Sequence, residues 1–220
     1  MTKTLSLRAK IEQSPMGAYQ WMIVVMAAIM NLLDGFDVLA LAFTATAIRG
    51  EFGLTGIELG YLLSAGLFGM TAGSLFLAPL ADKIGRRPLL LMAVSLSAIG
   101  MLGSAFISQY QWLGFWRVIT GLGVGGILVG TNVITSEYSS RKWRSFAISV
   151  YAAGFGIGAV LGGMFAVMLQ GEYGWRSVFL AGAILTGLLL VALFIWLPES
   201  IDFLTSKPVS YTHLTLPTNS

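Results

Sequence analysis

The stretch SVFLAGAILTGLLLVALFIWL, from Ser177 to Leu197, contains no charged residue and no proline. A helix that rises 1.5 Å per residue needs about 20 such residues to cross a hydrocarbon core roughly 30 Å thick. The stretch therefore predicts a transmembrane helix. Five earlier runs are also long and predominantly apolar. Together the six runs predict an all-α membrane protein of six transmembrane helices, the earlier five being Tyr19 to Ile48, Ile57 to Ala81, Pro88 to Ser108, Trp112 to Ser136 and Phe146 to Leu169.

The composition excludes most soluble functions. Of 220 residues, 56% are hydrophobic and only 10% are charged, whereas soluble domains carry about 25% charged residues. Cysteine is absent, which excludes disulfides and thiolate metal sites, and the single histidine, His213, lies in a polar tail. No run alternates polar and apolar residues as barrel strands do. We therefore expect contact with membrane lipids, and no metal, no cofactor and no nucleic-acid partner.

Basic residues lie in the N-terminal segment and in alternate connections between the apolar runs. This pattern predicts how the helices are oriented in the membrane, because Lys and Arg concentrate on the cytoplasmic side. We expect residues 1–18 and both ends of the bundle to be cytoplasmic, in a bacterial inner membrane. The first apolar run is too long for the core of a cleavable signal. The nine residues that carry this prediction are Lys3, Arg8, Lys10, Lys83, Arg86, Arg87, Arg141, Lys142 and Arg144.

The segment 205–220 changes character and is rich in Thr, Ser and Pro. It is predicted to be disordered and to lie outside the bundle, which spans residues 19–204. Its sequence PVSYTHLTLPTNS resembles translated sequencing-adapter read-through, which would make it foreign to the gene. A native disordered linker is the alternative.

Two carboxylates lie in the middle of the first run, in Asp34-Gly35-Phe36-Asp37. A carboxylate at the centre of a membrane helix costs around 2.5–3.5 kcal/mol on insertion scales. Three residues apart, the two lie on the same side of a helix, so both can face one polar cavity. Close carboxylates favour holding a proton between them, as proton coupling requires. The alternative is a turn at Gly35 that breaks the run into two shorter segments.

Arg117 is a further charge inside an apolar run, the fourth. Counted at 1.5 Å per residue, Arg117 and Asp34 each lie about 9 Å below the outer surface of a 30 Å core, so a shared site is geometrically possible. The planar guanidinium matches a carboxylate. Arg117 is interpreted as the counter-charge for an anionic substrate, for the aspartates, or for each in turn. A structural ion pair or a snorkelling arginine is the alternative.

Glycines recur every four residues, and such faces let membrane helices approach closely. We expect packing roles for Gly121, Gly125, Gly154, Gly158 and Gly162. The connection Ala81-Asp82-Lys83-Ile84-Gly85-Arg86-Arg87-Pro88 is short and densely charged, with Gly85 at a tight turn. Its basic residues anchor one side of the membrane, but an anchor does not explain Asp82.

These motifs together resemble the major facilitator superfamily over Tyr19 to Leu204. The connection is similar to its signature G-x-x-x-D-R/K-x-G-R-R/K, with Ala78 in place of the leading glycine. Arg117 and the glycines that follow it resemble the fourth-helix motif, and Glu137 with Arg144 fits the E-x6-R element. Within the superfamily, the aspartate pair and Leu197-Pro-Glu-Ser-Ile-Asp-Phe-Leu204 resemble the aromatic acid:proton symporters.

The resemblance implies a bundle of two inverted three-helix repeats, which is half of a twelve-helix transporter. It implies that Asp34, Asp37 and Arg117 act in substrate binding and proton coupling, with the proton as the coupling ion. It also implies that a charge network on the inner side stabilises one conformation. That network comprises Asp82, Lys83, Gly85, Arg86, Arg87, Glu137 and Arg144.

The implied function is proton-driven import of small organic anions, such as benzoate-like, hydroxybenzoate-like or muconate-like acids. Ala159 stands where antiporters usually carry proline, which favours symport or uniport. The chain is expected to be a truncated product whose partner is a carboxy-terminal six-helix bundle, or else a half-transporter that dimerises. A sugar or other metabolite porter is the alternative within the superfamily. A membrane enzyme or scaffold is the alternative outside it, although both aspartates share one helix.

Overall fold

A computed structural model describes residues 15–206, with side chains described through Leu204. Six helices in this part are long and apolar enough to cross a membrane, which confirms the predicted number. A short helix follows them after the Leu197-Pro-Glu-Ser element. The seven helices of residues 15–206 are α1 (Ala18–Phe52), α2 (Gly56–Ile84), α3 (Arg86–Ala105), α4 (Tyr110–Tyr138), α5 (Arg144–Tyr173), α6 (Trp175–Trp196) and α7 (Ile201–Ser206).

Helix α1 is continuous through Gly35, so the alternative of a turn at the aspartates is wrong. It has 35 residues, which corresponds to about 52 Å and exceeds the thickness of the hydrocarbon core. Its carboxylates therefore lie at mid-helix. They do not lie in a surface connection.

The connections are shorter than the apolar runs predict. Gly85 alone joins α2 to α3, and Gly174 alone joins α5 to α6. Both have positive φ angles, 103° and 78°, which glycine adopts readily because it has no Cβ. The charged residues around Gly85 therefore belong to helix ends, where their positions are fixed.

Residues 1–14 and 207–220 lie outside the described residues. The predicted cytoplasmic position of most of the N-terminal segment, and most of the predicted disordered tail, therefore stay predictions. The first two residues of that tail, Thr205 and Ser206, form the last turn of α7.

Helices α1 and α4 form the centre of the bundle. In their most apolar windows 56% and 61% of residues are buried, against 17% for α2 and 22% for α5. Helix α2 packs along α4, and α5 packs along α1, as the two most extensive contacts. If α1, α2 and α3 are matched with α4, α5 and α6, the α2–α4 contact corresponds to the α5–α1 contact. Two inverted repeats are expected to show this correspondence.

The connections cluster at two ends. One end, here called the basic end, carries the α2–α3 and α4–α5 connections with Lys83, Arg86, Arg87, Arg141, Lys142 and Arg144. There the Gln20 amide of α1 donates to the Tyr138 carbonyl oxygen of α4 over 2.7 Å. The opposite end carries the α1–α2, α3–α4 and α5–α6 connections. There Tyr110 at the start of α4 donates to Glu58 at the start of α2 over 3.1 Å.

Candidate functional site

Asp37 and Arg117 form a buried ion pair between α1 and α4. Arg117 Nη1 lies 3.4 Å from Asp37 Oδ1, and the two residues are 3% and 2% exposed. Ser97 of α3 donates from its hydroxyl to Asp37 Oδ2 over 2.6 Å. Three helices therefore meet at one carboxylate.

The hold of Asp37 on Arg117 is weak for an ion pair. Charge-assisted N–H···O bonds are usually about 2.7–2.9 Å long, and arginine often binds a carboxylate through two of them. Here the single contact is 3.4 Å long, and Arg117 Nε has no hydrogen-bond partner in the described structure. The guanidinium therefore retains donor capacity for a second carboxylate.

Neutral groups hold the rest of the guanidinium. Arg117 Nη2 donates to Ser104 Oγ over 2.8 Å and lies 3.3 Å from Met101 Sδ. Its central carbon lies 4.8 Å from the centre of the Phe179 ring, within the range of a cation–π contact. Arg117 thus stays fixed in position if its anionic partner changes.

A cavity of about 150 Å³ opens beside this pair, between α1, α2 and α4. Asp37 and Arg117 supply its charged wall, and Thr120 adds a hydroxyl. The rest is largely aliphatic, formed by Val38, Leu39, Leu41, Ala42, Leu62, Leu63, Leu67, Met70 and Val124. The site is thus an apolar cleft with one charged wall.

Asp34 is not among the residues that line this cavity, and that both aspartates face one cavity stays a prediction. Three residues turn a helix by about 300°, which separates the two side chains by about 60° around α1. Asp34 is 3% exposed, and its Oδ2 has no hydrogen-bond partner within the described residues.

Neighbours of Asp34 along α1 bring that helix into close contact with α5. The Asn31 amide donates to the Tyr151 carbonyl oxygen over 2.8 Å. A Cβ on Gly35 would lie 2.2 Å from the Phe155 carbonyl oxygen, and one on Gly158 would lie 1.8 Å from that of Leu32. Gly35 therefore allows close packing of the two helices.

The other predicted glycines also lie at helix contacts. Gly121 and Gly125 face the backbone of α2, and Gly154 faces the Ala28 carbonyl oxygen of α1. Gly162 lies against the Phe36 side chain. Two glycine faces thus bring α4 onto α2 and α5 onto α1.

At the basic end, the carboxylate of Glu199 joins the charge network, although Glu199 was not among the residues predicted for it. Glu199 Oε1 accepts the backbone N–H groups of Arg86 and Arg87 over 2.7 and 3.1 Å. It therefore caps the N-terminus of α3, where the helix dipole favours an anion. A Cβ on Gly85 would lie 2.5 Å from Glu199 Oε2, so a larger residue there would collide with the cap.

Side chains of the predicted network connect helix ends. Asp82 of α2 and Arg86 of α3, four residues apart across the Gly85 turn, form an ion pair of 2.7 Å. Arg87 donates to the Phe194 carbonyl oxygen at the end of α6 over 2.8 Å. Lys83 lies exposed in the last turn of α2. The connection thus links α2, α3 and α6.

Glu137 acts on α7. Its Oε2 accepts the Ser200 hydroxyl over 2.7 Å and the Ile201 N–H over 3.0 Å, so it caps the start of that helix. The adjacent Tyr138 hydroxyl donates to the Glu199 carbonyl oxygen over 2.7 Å. Arg144, the other half of the E-x6-R element, begins α5.

The opposite end holds a cluster that the sequence did not reveal. Glu51 at the end of α1 pairs with Arg176 at the start of α6 through two bonds of 2.7 and 2.9 Å. The Trp175 indole N–H donates to the same carboxylate over 2.6 Å. The partners are 125 residues apart along the chain, which no local pattern indicates.

Residues 27–207 match the family described as Major Facilitator Superfamily. The chain is 36% identical over 205 residues to a 4-hydroxybenzoate transporter of Pseudomonas putida, covering 93% of this chain and 46% of that protein. It is 36% identical over 197 residues to a gallate transporter of the same species, covering 90% and 44%. A partially occluded, inward-open xylose transporter from E. coli shares the fold at 22% identity and a TM-score of 0.78, covering 86% of this chain and 52% of that one.

The fold and the buried charges define a multi-pass membrane protein with a transporter bundle. The chain belongs to the Major Facilitator Superfamily, which confirms the resemblance drawn from its motifs. The relatives compared are transporters, so the membrane-enzyme alternative is set aside. The chain spans about half the length of the curated relatives it matches.

Proposed function

We propose that this chain forms the amino-terminal bundle of a symporter that imports small aromatic carboxylates together with protons. The observation that carries the proposal is the loose Asp37–Arg117 pair in the wall of an otherwise aliphatic cavity. Such a cavity suits a ligand with one apolar body and one anionic group.

The size of the cavity fits a single aromatic ring. An apolar protein cavity of about 150 Å³ is large enough to bind benzene, and this one has about the same volume. A carboxylate on the ring would reach the donors that Arg117 leaves free. The relatives named for 4-hydroxybenzoate and gallate support the same class of substrate.

Coupling follows from competition for one arginine. A substrate carboxylate that binds Arg117 displaces Asp37, and a buried carboxylate without a cation costs several kcal/mol. Asp37 avoids that cost by accepting a proton. Each bound carboxylate is thus accompanied by a proton, and the proton gradient drives import with the proton as the coupling ion and without a cofactor.

The proposed partner is a carboxy-terminal six-helix bundle that covers the open side of the cavity. Superfamily transporters work by one bundle rocking against the other around a central site. The charge network of Asp82, Arg86, Glu137 and Glu199 would stabilise the form closed at the basic end. Lipids would contact the other apolar surfaces.

The basic end would face the cytoplasm of a bacterial cell, because basic connections stay on that side. Residues 1–220 contain no cysteine, so a single cysteine introduced among them reports its own location. A membrane-impermeant thiol reagent added to intact cells should label Glu172→Cys at the opposite end and leave Lys142→Cys at the basic end unlabelled. Both positions are exposed. The reverse pattern would contradict the orientation.

Proton coupling is tested in the full-length transporter, with residues 1–204 joined to the second bundle. We expect uptake of labelled 4-hydroxybenzoate by bacteria to stop when a protonophore collapses the gradient. The double change Asp34→Asn with Asp37→Asn should reduce uptake to background, because no buried carboxylate remains in α1 to carry the proton.

Glu172→Gln is the matched control, since it removes an exposed carboxylate and should leave uptake unchanged. Uptake that survives the protonophore would remove the coupling. If the cells take up labelled xylose but no labelled 4-hydroxybenzoate, the substrate class is sugars and the proposed aromatic carboxylates are wrong.

A further inference from the structure

We propose that Gly66 of α2 sets the size of the aromatic ring that the cavity accepts, because its missing side chain leaves the space in which the ring would lie. The inference rests on the proposed function and assigns substrate selection to one residue of the same cavity. It follows from what an added Cβ would meet at each glycine along the α2–α4 contact.

Two neighbouring glycines of α2 are explained by helix packing. An added Cβ on Gly69 would collide with the Val118 carbonyl oxygen of α4, and one on Gly73 would collide with that of Leu122. Small residues at such positions let membrane helices approach closely. Gly69 and Gly73 are therefore needed for the contact between the two helices.

Gly66 has no such packing role. Apart from its chain neighbours and the backbone of its own helix, only the Arg117 carbonyl oxygen lies within 4 Å of its added Cβ, at 3.9 Å. At this level the close approach depends on Gly121, whose added Cβ would collide with the Gly66 carbonyl oxygen. Glycine inside a helix is less favourable than alanine. Packing therefore gives no reason for a glycine at position 66.

The open space beside Gly66 belongs to the cavity. Gly66 lines the cavity together with Leu62, Leu63, Leu67 and Met70 of the same helix. Residues three, four and seven positions apart share one face of a helix, and Gly66 lies in the middle of this face. A side chain at position 66 would therefore point into the cavity, between the four apolar side chains.

Gly66 also lies beside the charged wall. The atom nearest to its added Cβ belongs to the backbone of Arg117, which forms that wall with Asp37. A ring whose carboxylate binds Arg117 would thus pass close to Gly66. The cavity has a volume of about 150 Å³, which is enough for one benzene ring. Even one added methyl group would therefore take space that a ring or its substituents need.

The test measures dissociation constants for the purified full-length transporter, from the stabilisation that each acid gives against thermal unfolding. The acids are benzoate and benzoates that carry one or two ring methyl groups, which enlarge the ring without adding hydrogen bonds. Gly66→Ala should weaken binding of the largest acid that the unchanged transporter accepts by about tenfold, the scale of one methyl group in an apolar pocket. Binding of benzoate should weaken much less. Gly66→Val, with its larger side chain, should weaken binding of benzoate as well.

Gly60→Ala is the matched control on the same helix. Nothing lies within 4 Å of its added Cβ, and Gly60 is not among the residues that line the cavity, so every dissociation constant should stay unchanged. Without ligand, Gly66→Ala should unfold at or above the temperature of the unchanged protein, because its methyl group collides with nothing and alanine favours a helix.

The dependence on ring size decides the inference. Equal weakening of all the acids by Gly66→Ala would overturn it, because a contact with the second bundle or a general distortion has that effect. Unchanged binding of all of them would overturn it too. Failure of the unchanged transporter to bind or accumulate any aromatic acid would instead overturn the proposed function.

Discussion

Arg117→Leu is expected to abolish uptake and to destabilise the bundle. Removing one partner of a buried ion pair typically costs about 3–5 kcal/mol, because the other charge stays buried and uncompensated. Here the remaining charge is Asp37, which is 2% exposed. Uptake of labelled 4-hydroxybenzoate should fall to background, since the proposed anion-binding group is gone. Thermal unfolding of the purified protein should shift to lower temperature.

A double-mutant cycle separates stability from transport. Asp37→Asn in the Arg117→Leu background removes the orphaned charge, so thermal stability should largely return. Uptake should not return, because the cavity then has no cation for the substrate. Coupling between two contacting residues is typically about 0.5–3 kcal/mol. Independent, additive effects of the two changes on stability would contradict the ion pair.

Arg117→Lys tests whether charge alone is sufficient. Lysine keeps the charge but loses the planar fork, and with it the simultaneous contacts to Ser104, Met101 and Phe179. We expect stability close to normal, with weakened substrate binding seen as a raised KM. Unchanged KM would show that geometry at Arg117 has little importance.

Much of the site could be predicted from the sequence because charges in an apolar run are rare. Asp34, Asp37 and Arg117 stand out on that ground alone, and their depths along their helices predicted the proximity of α1 and α4 at this level. The partners of Asp37 could not be predicted. It contacts Ser97 of α3 and Arg117 of α4, and this arrangement depends on which helices neighbour α1.

Residues that complete the site were missed because their signal is weak. Ser97 and Ser104 are small polar residues in the apolar run of α3, where serine is common. Phe179 looks like any lipid-facing aromatic residue. Each becomes informative only when α3 or α6 lies beside Arg117, and such long-range contacts leave no local pattern.

The ends of the bundle show the same limit. The Leu197-Pro-Glu-Ser element was identified as a family motif, but its action as a cap on α3 depends on the end of α6 lying beside Gly85. The Glu51–Arg176 pair joins the last turn of α1 to the first turn of α6. In both cases antiparallel packing brings together helix ends that are distant in sequence.

Gly158→Ala should have the largest effect of any single added methyl group. A Cβ at Gly158 would lie 1.8 Å from the Leu32 carbonyl oxygen and 2.6 Å from its carbon, and backbone atoms cannot rotate away. Helix α5 must then separate from α1. Overpacking usually costs about 1–3 kcal/mol, and we expect the upper end of that range here because both helices are rigid.

Gly156→Ala is the matched control on the same helix, because nothing lies within 4 Å of its added Cβ. It should leave thermal stability unchanged, whereas Gly158→Ala lowers it and Gly158→Leu prevents accumulation of folded protein in the membrane. Because Gly35, the neighbour of Asp34, lies in the same α1–α5 contact, separating the helices should also expose Asp34 to water. A cysteine at position 34 would then react with a thiol reagent in the Gly158→Ala background and stay unreactive in the Gly156→Ala background. Equal reactivity in the two would mean that the glycine contact does not seal this part of the bundle.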